Sequence, residues 1–308
     1  MILICGIPSE SPLSLVQEEL DRIGVPKVIF NQRSFAEMEM EFEISRGRVS
    51  GHLKIHDRIY DLEDIHGVYI RLMDDQVLPE LYGEPFNSQK RAYCRALHDT
   101  LLRWCEVAST RVVNRTGPMG SNFSKPYQMQ LIRKHGFAVP ETLITNDPDL
   151  VREFRDQHNR VIYKSISGVR SIVQTLNDDD LERLEKIRWC PTQFQEFVEG
   201  TNVRVHTING EVFATKINSS ATDYRYASHQ VGDAAELVSI DLSAELAEKC
   251  ISLSDSLGLA FAGIDLIISS DNRIYCLEVN TSPAYSYYEA NTGQPISKAI
   301  ALYLAGSG

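Results

Sequence analysis

The sequence predicts an α/β protein in which a βαβ unit is followed by two α+β lobes. Residues 2–30 form an apolar run, an amphipathic helical pattern and a second apolar run, which is the order of a βαβ unit. The last third of the chain is dominated by hairpin patterns, the clearest of them around Asn209 and Gly210. With 308 residues, the chain is long enough for two or three domains.

The first predicted domain covers residues 1–113. Glycine ends the first strand at Gly6 and the first helix at Gly24. Ser88 is well placed to cap the start of the last helix. The predicted elements are strands at 2–6, 28–30 and 67–70, a loosely alternating stretch at 49–60, and helices at 13–23 and 88–106.

A turn-rich segment at 114–125 opens a second predicted region, which covers residues 114–195. Pro126 lies near the start of its first helix and Gly136 at the end, and Asn177 can cap a later helix. The predicted elements are helices at 126–136, 147–158 and 178–187 and strands at 139–146 and 161–164.

The third predicted region covers residues 196–308. Asn209-Gly210 is the strongest short signal for a two-residue hairpin turn. The predicted elements are hairpin strands at 203–208 and 211–217, a second pair of strands at 261–268 and 273–279, and helices at 242–257 and 295–305.

Charge and cysteine content exclude several classes of protein. The chain has 31 basic and 42 acidic residues, a net charge of −11, which argues against a nucleic-acid-binding protein because the basic footprint is missing. No apolar run approaches the ~20 residues of a membrane span. The six cysteines form no C-x-x-C pair, and the N-terminus lacks the basic region of a signal peptide. We therefore expect a cytoplasmic protein with reduced thiols.

Two carboxylates in the second hairpin are the most informative residues. If Asp271 and Asn272 form a two-residue loop, Asp265 lies directly opposite Glu278, and Asn280 points to the same face. Opposed carboxylates repel each other across a sheet, and a divalent cation such as Mg²⁺ removes that repulsion. The alternative is that one carboxylate is solvent-exposed and the pairing is accidental.

Two lysines and one strand end are weaker signals. Lys164 precedes a loop that contains Gly168 and Arg170, and Lys125 begins a helix, so both can reach nucleotide phosphates. Taken singly, a lysine of this kind is more often a solvated surface residue. The segment 193–200 can wrap an adenine, although edge strands often have the same pattern.

The order of these features resembles the ATP-grasp superfamily. Leu277–Pro283 is similar to the RimK-type ligases, and Lys125–Asn146 resembles the branch that makes ω-ester and ω-amide crosslinked peptides, the graspetides. The resemblance covers residues 114–308 well. It implies an ATP-grasp fold with an N-terminal pre-ATP-grasp domain at 1–113, a central lobe at 114–195 and a C-terminal lobe at 196–308.

The resemblance also implies roles for individual residues. The family usually has an acidic residue where Asn202 stands, and Glu199 can take over its ribose contact. The Lys164 loop is poor in glycine, so Arg170 can supply charge there. The implied phosphate and adenine ligands are Lys125, Lys164, Gly168, Glu196, Phe197, Val198, Glu199 and Asn202. The implied Mg²⁺ ligands, for one or two ions, are Asp265, Glu278 and Asn280. The implied catalytic residues are Lys164, Arg204 and Arg225, the last in the Asp223–Arg225 motif.

The implied chemistry joins a carboxylate to an amine, or to a hydroxyl, through an acyl phosphate made from ATP. We expect a peptide or protein substrate and, by analogy with the family, a homodimer. Two alternatives stay open: a ligase that joins an amino acid to a small metabolite, and a nucleotide-binding protein without turnover. The aromatic run Tyr285–Tyr288 can line an acceptor site or serve packing, and His206 is expected to be a packed or a surface histidine without a role in the chemistry.

Overall fold

The structure is a computed structural model that describes residues 1–165, 173–219 and 235–307. The predicted βαβ unit at the N-terminus is confirmed, because its two strands pair in parallel with a helix between them. The first part of the chain contains β1 (Ile2–Gly6), α1 (Ser11–Arg22), β2 (Lys27–Asn31), β3 (Met38–Ser45), β4 (Arg48–Ile55), β5 (Arg58–Asp61), β6 (Gly67–Arg71), α2 (Gln89–Val107) and β7 (Arg111–Val113).

Two sheets form from these strands. The four-stranded sheet is parallel, in the order β2-β1-β6-β7. A separate antiparallel sheet, β3-β4-β5, shows that the alternating stretch 49–60 is two strands joined at His56, whose φ is +53°. Ser88 caps α2 as predicted, since its hydroxyl accepts a hydrogen bond from the Arg91 N–H at 3.2 Å.

The middle of the chain folds around a second antiparallel sheet, in the order β10-β9-β11-β8. The helix predicted at 178–187 ends earlier, at Glu182, and continues as a 3₁₀ segment from Leu184 to Trp189. Asn177 caps it as predicted, in a reciprocal capping box with Asp180. The elements are α3 (Thr116–Met119), α4 (Lys125–Lys134), β8 (Thr142–Thr145), α5 (Pro148–Gln157), β9 (Val161–Ser165), β10 (Gln174–Thr175), α6 (Asp178–Glu182) and β11 (Thr192–Glu196).

The last part of the chain is built on a five-stranded antiparallel sheet, β14-β13-β12-β15-β16. Asn209 and Gly210 turn the chain between β12 and β13 with φ of +47° and +80°, as a type I′ turn requires. The elements are β12 (Thr201–Ile208), β13 (Glu211–Asn218), β14 (Glu236–Ile240), α7 (Ala244–Ser256), β15 (Phe261–Ile268), β16 (Ile274–Asn280), α8 (Ser286–Thr292) and α9 (Ile296–Ala305).

The last helix packs against the first sheet. Ile300 and Leu304 of α9 are fully buried in one cluster with Ile4, Leu13 and Tyr69 from the N-terminal region. The strands of each large sheet lie within one predicted region, except that β11 reaches Glu196. The division of the chain at 113 and 195 stays a prediction.

The six cysteines are free thiols, and five of them are buried, with Cys190 exposed. Within residues 1–165, 173–219 and 235–307, every helix is too short or too polar to cross a bilayer.

Asn114 ties the end of the first sheet to the C-terminal sheet. Its side-chain amide donates to the carbonyls of Phe261, at 2.6 Å, and Thr281, at 2.7 Å, and its amide oxygen accepts from the Phe261 N–H at 3.0 Å. The residue is only 5% exposed, so these three bonds replace water at the start of β15 and just after β16.

We expect Asn114→Ala to lower the free energy of unfolding by about 3 kcal/mol, because it removes three buried hydrogen bonds that each contribute ~1 kcal/mol. Urea denaturation measures the change. Asn159→Ala at an exposed site is the matched control, expected to stay within ~0.5 kcal/mol of the parent protein. Equal losses in the two variants would contradict the role of the Asn114 amide.

Candidate active site

Asp265 on β15 lies directly opposite Glu278 on β16, and Gly263 lies opposite Asn280. The sequence predicted this pairing. Because side chains two residues apart on a strand share a face, Asn280 projects on the same face as Glu278. Two carboxylates and one amide are therefore collected on one side of the hairpin.

The two-residue loop from which this register was predicted was wrong. The loop has three residues rather than two: the Ser269 N–H donates to the Arg273 carbonyl, and Asn272 adopts a left-handed φ of +61°. This loop shifts the strands by one residue relative to the prediction. An irregularity after Asp265, where Leu277 is the extra residue on β16, shifts them back.

Arg204 neutralises Asp265 from the neighbouring strand. The two residues are opposite each other on β12 and β15, and Arg204 Nη1 lies 2.6 Å from Asp265 Oδ1. Asn280 Nδ2 donates to the other carboxylate oxygen at 3.1 Å. The Arg204 side chain is 7% exposed, so this ion pair is largely screened from water.

His206 holds the Arg204 guanidinium through a side-chain contact on the same strand. Arg204 Nε donates to His206 Nε2 at 3.5 Å, and the ring stacks on Phe261 and meets the edge of Tyr288. Burial, and then the charge of Arg204, lowers the pKa of His206 well below its usual value. The imidazole is therefore neutral and can accept this bond, as expected for a packed histidine.

Lys125 neutralises the second carboxylate. Its ammonium group forms a short hydrogen-bonded ion pair with Glu278 Oε2, and each side chain is 16% exposed. Lys125 is the first residue of α4, and Gln128 one turn later holds this helix on the edge of the sheet. The Gln128 amide donates to the Val279 carbonyl at 2.8 Å and accepts from the Val279 N–H at 2.9 Å.

The donor set around the hairpin suits a hard cation. In the described ranges, no group of three or more His, Cys, Asp or Glu side chains is arranged to hold a metal ion. Asp265, Glu278 and Asn280 offer two carboxylates and an amide. That set fits Mg²⁺, which takes few protein oxygens and fills its other positions with water and phosphate. Arg204 and Lys125 offset the repulsion between the two carboxylates in this structure, and a divalent cation would offset it when they are displaced.

Two of the predicted nucleotide residues, Lys164 and Glu196, lie on the β10-β9-β11-β8 sheet. Lys164 is on β9 opposite Gln193 of β11, and residues 197–200 connect β11 to β12. The Glu196 carboxylate accepts from the Glu141 N–H at 3.0 Å, and the Glu196 N–H donates to the Glu141 carbonyl at 3.0 Å. Glu196 thus fixes the start of the connection through both its carboxylate and its N–H.

The rest of the connection is partly exposed. The Phe197 N–H donates to the Arg160 carbonyl at 2.9 Å, and the Arg160 guanidinium lies 3.7 Å above the Phe197 ring. Val198 is half-buried, Glu199 is exposed, and Asn202 is half-buried on β12. Gly168, Arg170, Asp223 and Arg225, which the sequence analysis singled out, lie outside the described residues.

Sequence reasoning missed three residues that shape the site. In the sequence, nothing distinguishes Gln128 from other polar residues of a helix. At Gly263, a Cβ atom would lie 2.7 Å from both Arg204 Nη2 and Pro283 Cβ, so only glycine leaves room for the guanidinium. Arg71 donates to Ser282 Oγ and to the Pro283 carbonyl, each at 3.2 Å, and joins the first sheet to the loop after the carboxylates. Of these three residues, Gly263 had a recognisable signal in the sequence, because a glycine stands two residues before Asp265.

The aromatic run after the carboxylates serves packing at two of its positions. Tyr285 is fully buried, and its hydroxyl donates to the Pro12 carbonyl at 2.7 Å. Tyr288 is 6% exposed, and its ring lies 5.5 Å from the Arg204 guanidinium carbon. Tyr287 is half exposed.

Two antiparallel sheets, one carrying Lys164 and the other the opposed carboxylates, agree with the ATP-grasp fold that the sequence resembles. Residues 123–304 match the family model described as the RimK-like ATP-grasp domain. The chain therefore belongs to the RimK-like ATP-grasp family, as the motif order in the sequence predicted.

Similar sequences and structures agree with this family. A probable alpha-L-glutamate ligase of Aliivibrio salmonicida is 26% identical over 66% of this chain and 70% of its own. The structure of the ATP-grasp ligase PsnB with a minimal precursor has a TM-score of 0.80 at 27% identity, over 99% of this chain and 98% of its own. A RiPP-associated ATP-grasp ligase of Chryseobacterium gregarium, in complex with ADP and a leader and core peptide, shares the fold with a TM-score of 0.82 at 23% identity, over 100% of this chain and 97% of its own.

We expect Gln128→Met to lower the free energy of unfolding by about 2 kcal/mol, because the Val279 N–H and C=O both lose their partner at a buried strand edge. It should also reduce nucleotide affinity, since Lys125 is placed by the same helix. Gln130→Met, on the exposed side of α4, is the control. Urea denaturation and ADP titration measure the two effects, and unchanged stability would show that Gln128 does not hold the helix.

Proposed function

We propose that this ATP-grasp ligase modifies a peptide or protein by joining a carboxylate to an amine or a hydroxyl. The observation that carries the proposal is the opposed pair Asp265 and Glu278, each with its own cation. Such a site can hold the phosphates of ATP and the metal ion beside them, and can return to a neutral state when they leave. The peptide substrate is supported by the solved neighbours, which cover nearly the whole chain and were studied with precursor peptides.

The proposed reaction has two steps, formation of an acyl phosphate and transfer of the acyl group. A carboxylate oxygen of the substrate attacks the γ-phosphorus of ATP, the bond to the β-phosphate oxygen breaks, and ADP leaves. An amine or hydroxyl then attacks the acyl carbon, phosphate leaves with the bonding electrons, and the proton lost by the nucleophile passes to the departing phosphate. Phosphoryl transfer of this kind depends on positioning and charge neutralisation more than on a protein nucleophile.

The phosphates are assigned to Lys125 and Lys164 and, from the sequence alone, to Gly168. On nucleotide binding, the Lys125 ammonium exchanges Glu278 for a phosphate oxygen. Adenine is assigned to the Glu196–Val198 connection. The N–H groups of Glu196 and Phe197 already donate to protein carbonyls, so the Val198 N–H is the donor assigned to the base. Ribose is assigned to Glu199 and Asn202.

Asp265, Glu278 and Asn280 would hold one or two Mg²⁺ ions, which would neutralise charge on the phosphates when bound. Arg204 is placed to release Asp265 and to stabilise the transferring phosphate. Lys164 and Arg225 are assigned to the negative charge on the acyl group. Because Arg204 is buried against His206 and Tyr288, its guanidinium is fixed in position before substrate binds.

A ligase for a small amino-acid substrate is the second candidate, favoured by the names of the curated relatives. The cytoplasmic location and the homodimer remain predictions from the sequence.

We expect Asp265→Asn and Glu278→Gln each to reduce substrate-dependent ADP release by about 100-fold or more, because each removes a charge that supports several kcal/mol of transition-state stabilisation. Added Mg²⁺ should restore part of the rate by raising metal occupancy. Asp241→Asn and Glu248→Gln at exposed positions are the matched controls. ADP release that survives both changes, in variants with parental unfolding curves, would contradict the metal assignment.

Hydroxylamine distinguishes the substrate classes, because it traps an acyl phosphate as a hydroxamate. We incubate the enzyme with Mg-ATP, hydroxylamine and either peptides rich in Asp, Glu, Lys, Ser and Thr or single amino acids. The proposal expects hydroxamate on peptide side chains and, without hydroxylamine, peptides that have lost one water per crosslink, both read by mass spectrometry. Hydroxamate confined to free amino acids would favour the small-molecule ligase instead.

A further inference from the structure

Both carboxylates of the candidate metal site are paired with cations of the protein. Glu278 Oε2 accepts from the Lys125 ammonium, and Asp265 Oδ1 lies 2.6 Å from Arg204 Nη1. The four side chains are between 7% and 19% exposed, so both ion pairs are largely shielded from water. Salt therefore weakens them less than it weakens an ion pair on the surface. Any ion that binds here competes with a partner that is already present.

These ion pairs oppose the binding of a metal ion. A divalent cation bound to Glu278 would be next to the Lys125 ammonium, and like charges repel each other strongly where water is scarce. The second carboxylate oxygen of Asp265 accepts from Asn280 Nδ2 at 3.1 Å. A metal ion therefore gains its ligands only when at least one of the protein cations moves away.

Lys125 is the cation that moves more easily. Its ammonium ends a flexible four-carbon stem, and Lys125 is the first residue of α4. Arg204, in contrast, lies within β12, donates to His206 Nε2 at 3.5 Å and has its guanidinium carbon 5.5 Å from the Tyr288 ring. A phosphate group therefore opens the Lys125–Glu278 pair more readily than the Arg204 pair.

We propose that the Lys125–Glu278 ion pair makes metal binding depend on nucleotide binding. This role rests on the proposed function, in which Lys125 binds a phosphate and Glu278 binds Mg²⁺. The phosphate draws the ammonium away, and the charge of Glu278 then becomes available to the metal ion. When the nucleotide leaves, Lys125 returns to Glu278 and the metal ion loses a ligand. Because such coupling is reciprocal, the metal ion raises nucleotide affinity by the same factor, typically about 5- to 150-fold.

The test titrates the full chain with Mn²⁺ in the absence of nucleotide, and electron paramagnetic resonance measures the free ion. Mn²⁺ replaces Mg²⁺ because both ions prefer carboxylate and carbonyl oxygens. We expect weak binding to the parent protein and an affinity about tenfold higher or more in Lys125→Met, because the competing charge is removed. Equal Mn²⁺ affinity in the parent protein and in Lys125→Met would overturn the proposal.

Three further variants locate the gain in affinity. Lys134→Met, at the exposed end of the same helix, removes an equal charge and should bind Mn²⁺ like the parent protein. Lys125→Met combined with Glu278→Gln should lose the gain, because the released carboxylate is no longer present. If Lys125→Met fails to fold, Lys125→Gln decides the matter, since it keeps a hydrogen-bond donor without the charge. A gain that persists in the double variant would place the ion elsewhere and refute the proposal.

ADP separates this coupling from the proposed function itself. Calorimetric titration measures the ADP affinity of the parent protein with and without Mn²⁺, corrected for the Mn–ADP complex that forms in solution. If Mn²⁺ leaves ADP affinity unchanged, the assignment of the metal ion to Asp265, Glu278 and Asn280 fails. If Mn²⁺ raises ADP affinity but Lys125→Met gains no affinity for Mn²⁺ alone, the metal site stands and the coupling through Lys125 is refuted. A rise in ADP affinity together with the gain in Lys125→Met supports both.

Discussion

The opposition of Asp265 and Glu278 across one hairpin is the constraint on which the site depends. Two negative charges at this separation destabilise a sheet unless something compensates them. The protein supplies one cation to each carboxylate, Arg204 from the neighbouring strand and Lys125 from a helix at the sheet edge. These cations come from different elements, so the correct assembly of β12, β15, β16 and α4 is tied to the charge balance of the site.

The surrounding contacts hold those elements in register. Asn114 and Gln128 are both buried amides that bond backbone groups next to the hairpin, and Arg71 reaches the loop that follows it. Each forms directional bonds, so each specifies a single position along the chain. Hydrophobic burial stabilises the sheet, whereas these directional bonds select which residues face one another.

Much of the fold could be predicted because local signals are strong where periodicity, caps and turn residues agree. Ser88 and Asn177 cap their helices, and Asn209-Gly210 turns its hairpin, since each effect depends on a few neighbouring residues. The pairing of Asp265 with Glu278 was predicted for a reason that the structure corrects. A three-residue loop and the extra Leu277 shift the register in opposite directions, and such irregularities depend on tertiary packing that a single sequence does not display. Gln128 was missed for the same reason, because its partner is 151 residues away.

The packing of α9 on the first sheet determines when, during synthesis, the N-terminal region can complete its fold. The apolar faces of β1 and α1 leave the ribosome some 270 residues before Ile300 and Leu304 can cover them. At about 5–20 residues per second, this interval lasts on the order of tens of seconds. During this interval, the strands and the helix of the N-terminal region lack α9, which later covers their apolar faces. The N-terminal region is thus made long before the helix that completes its core.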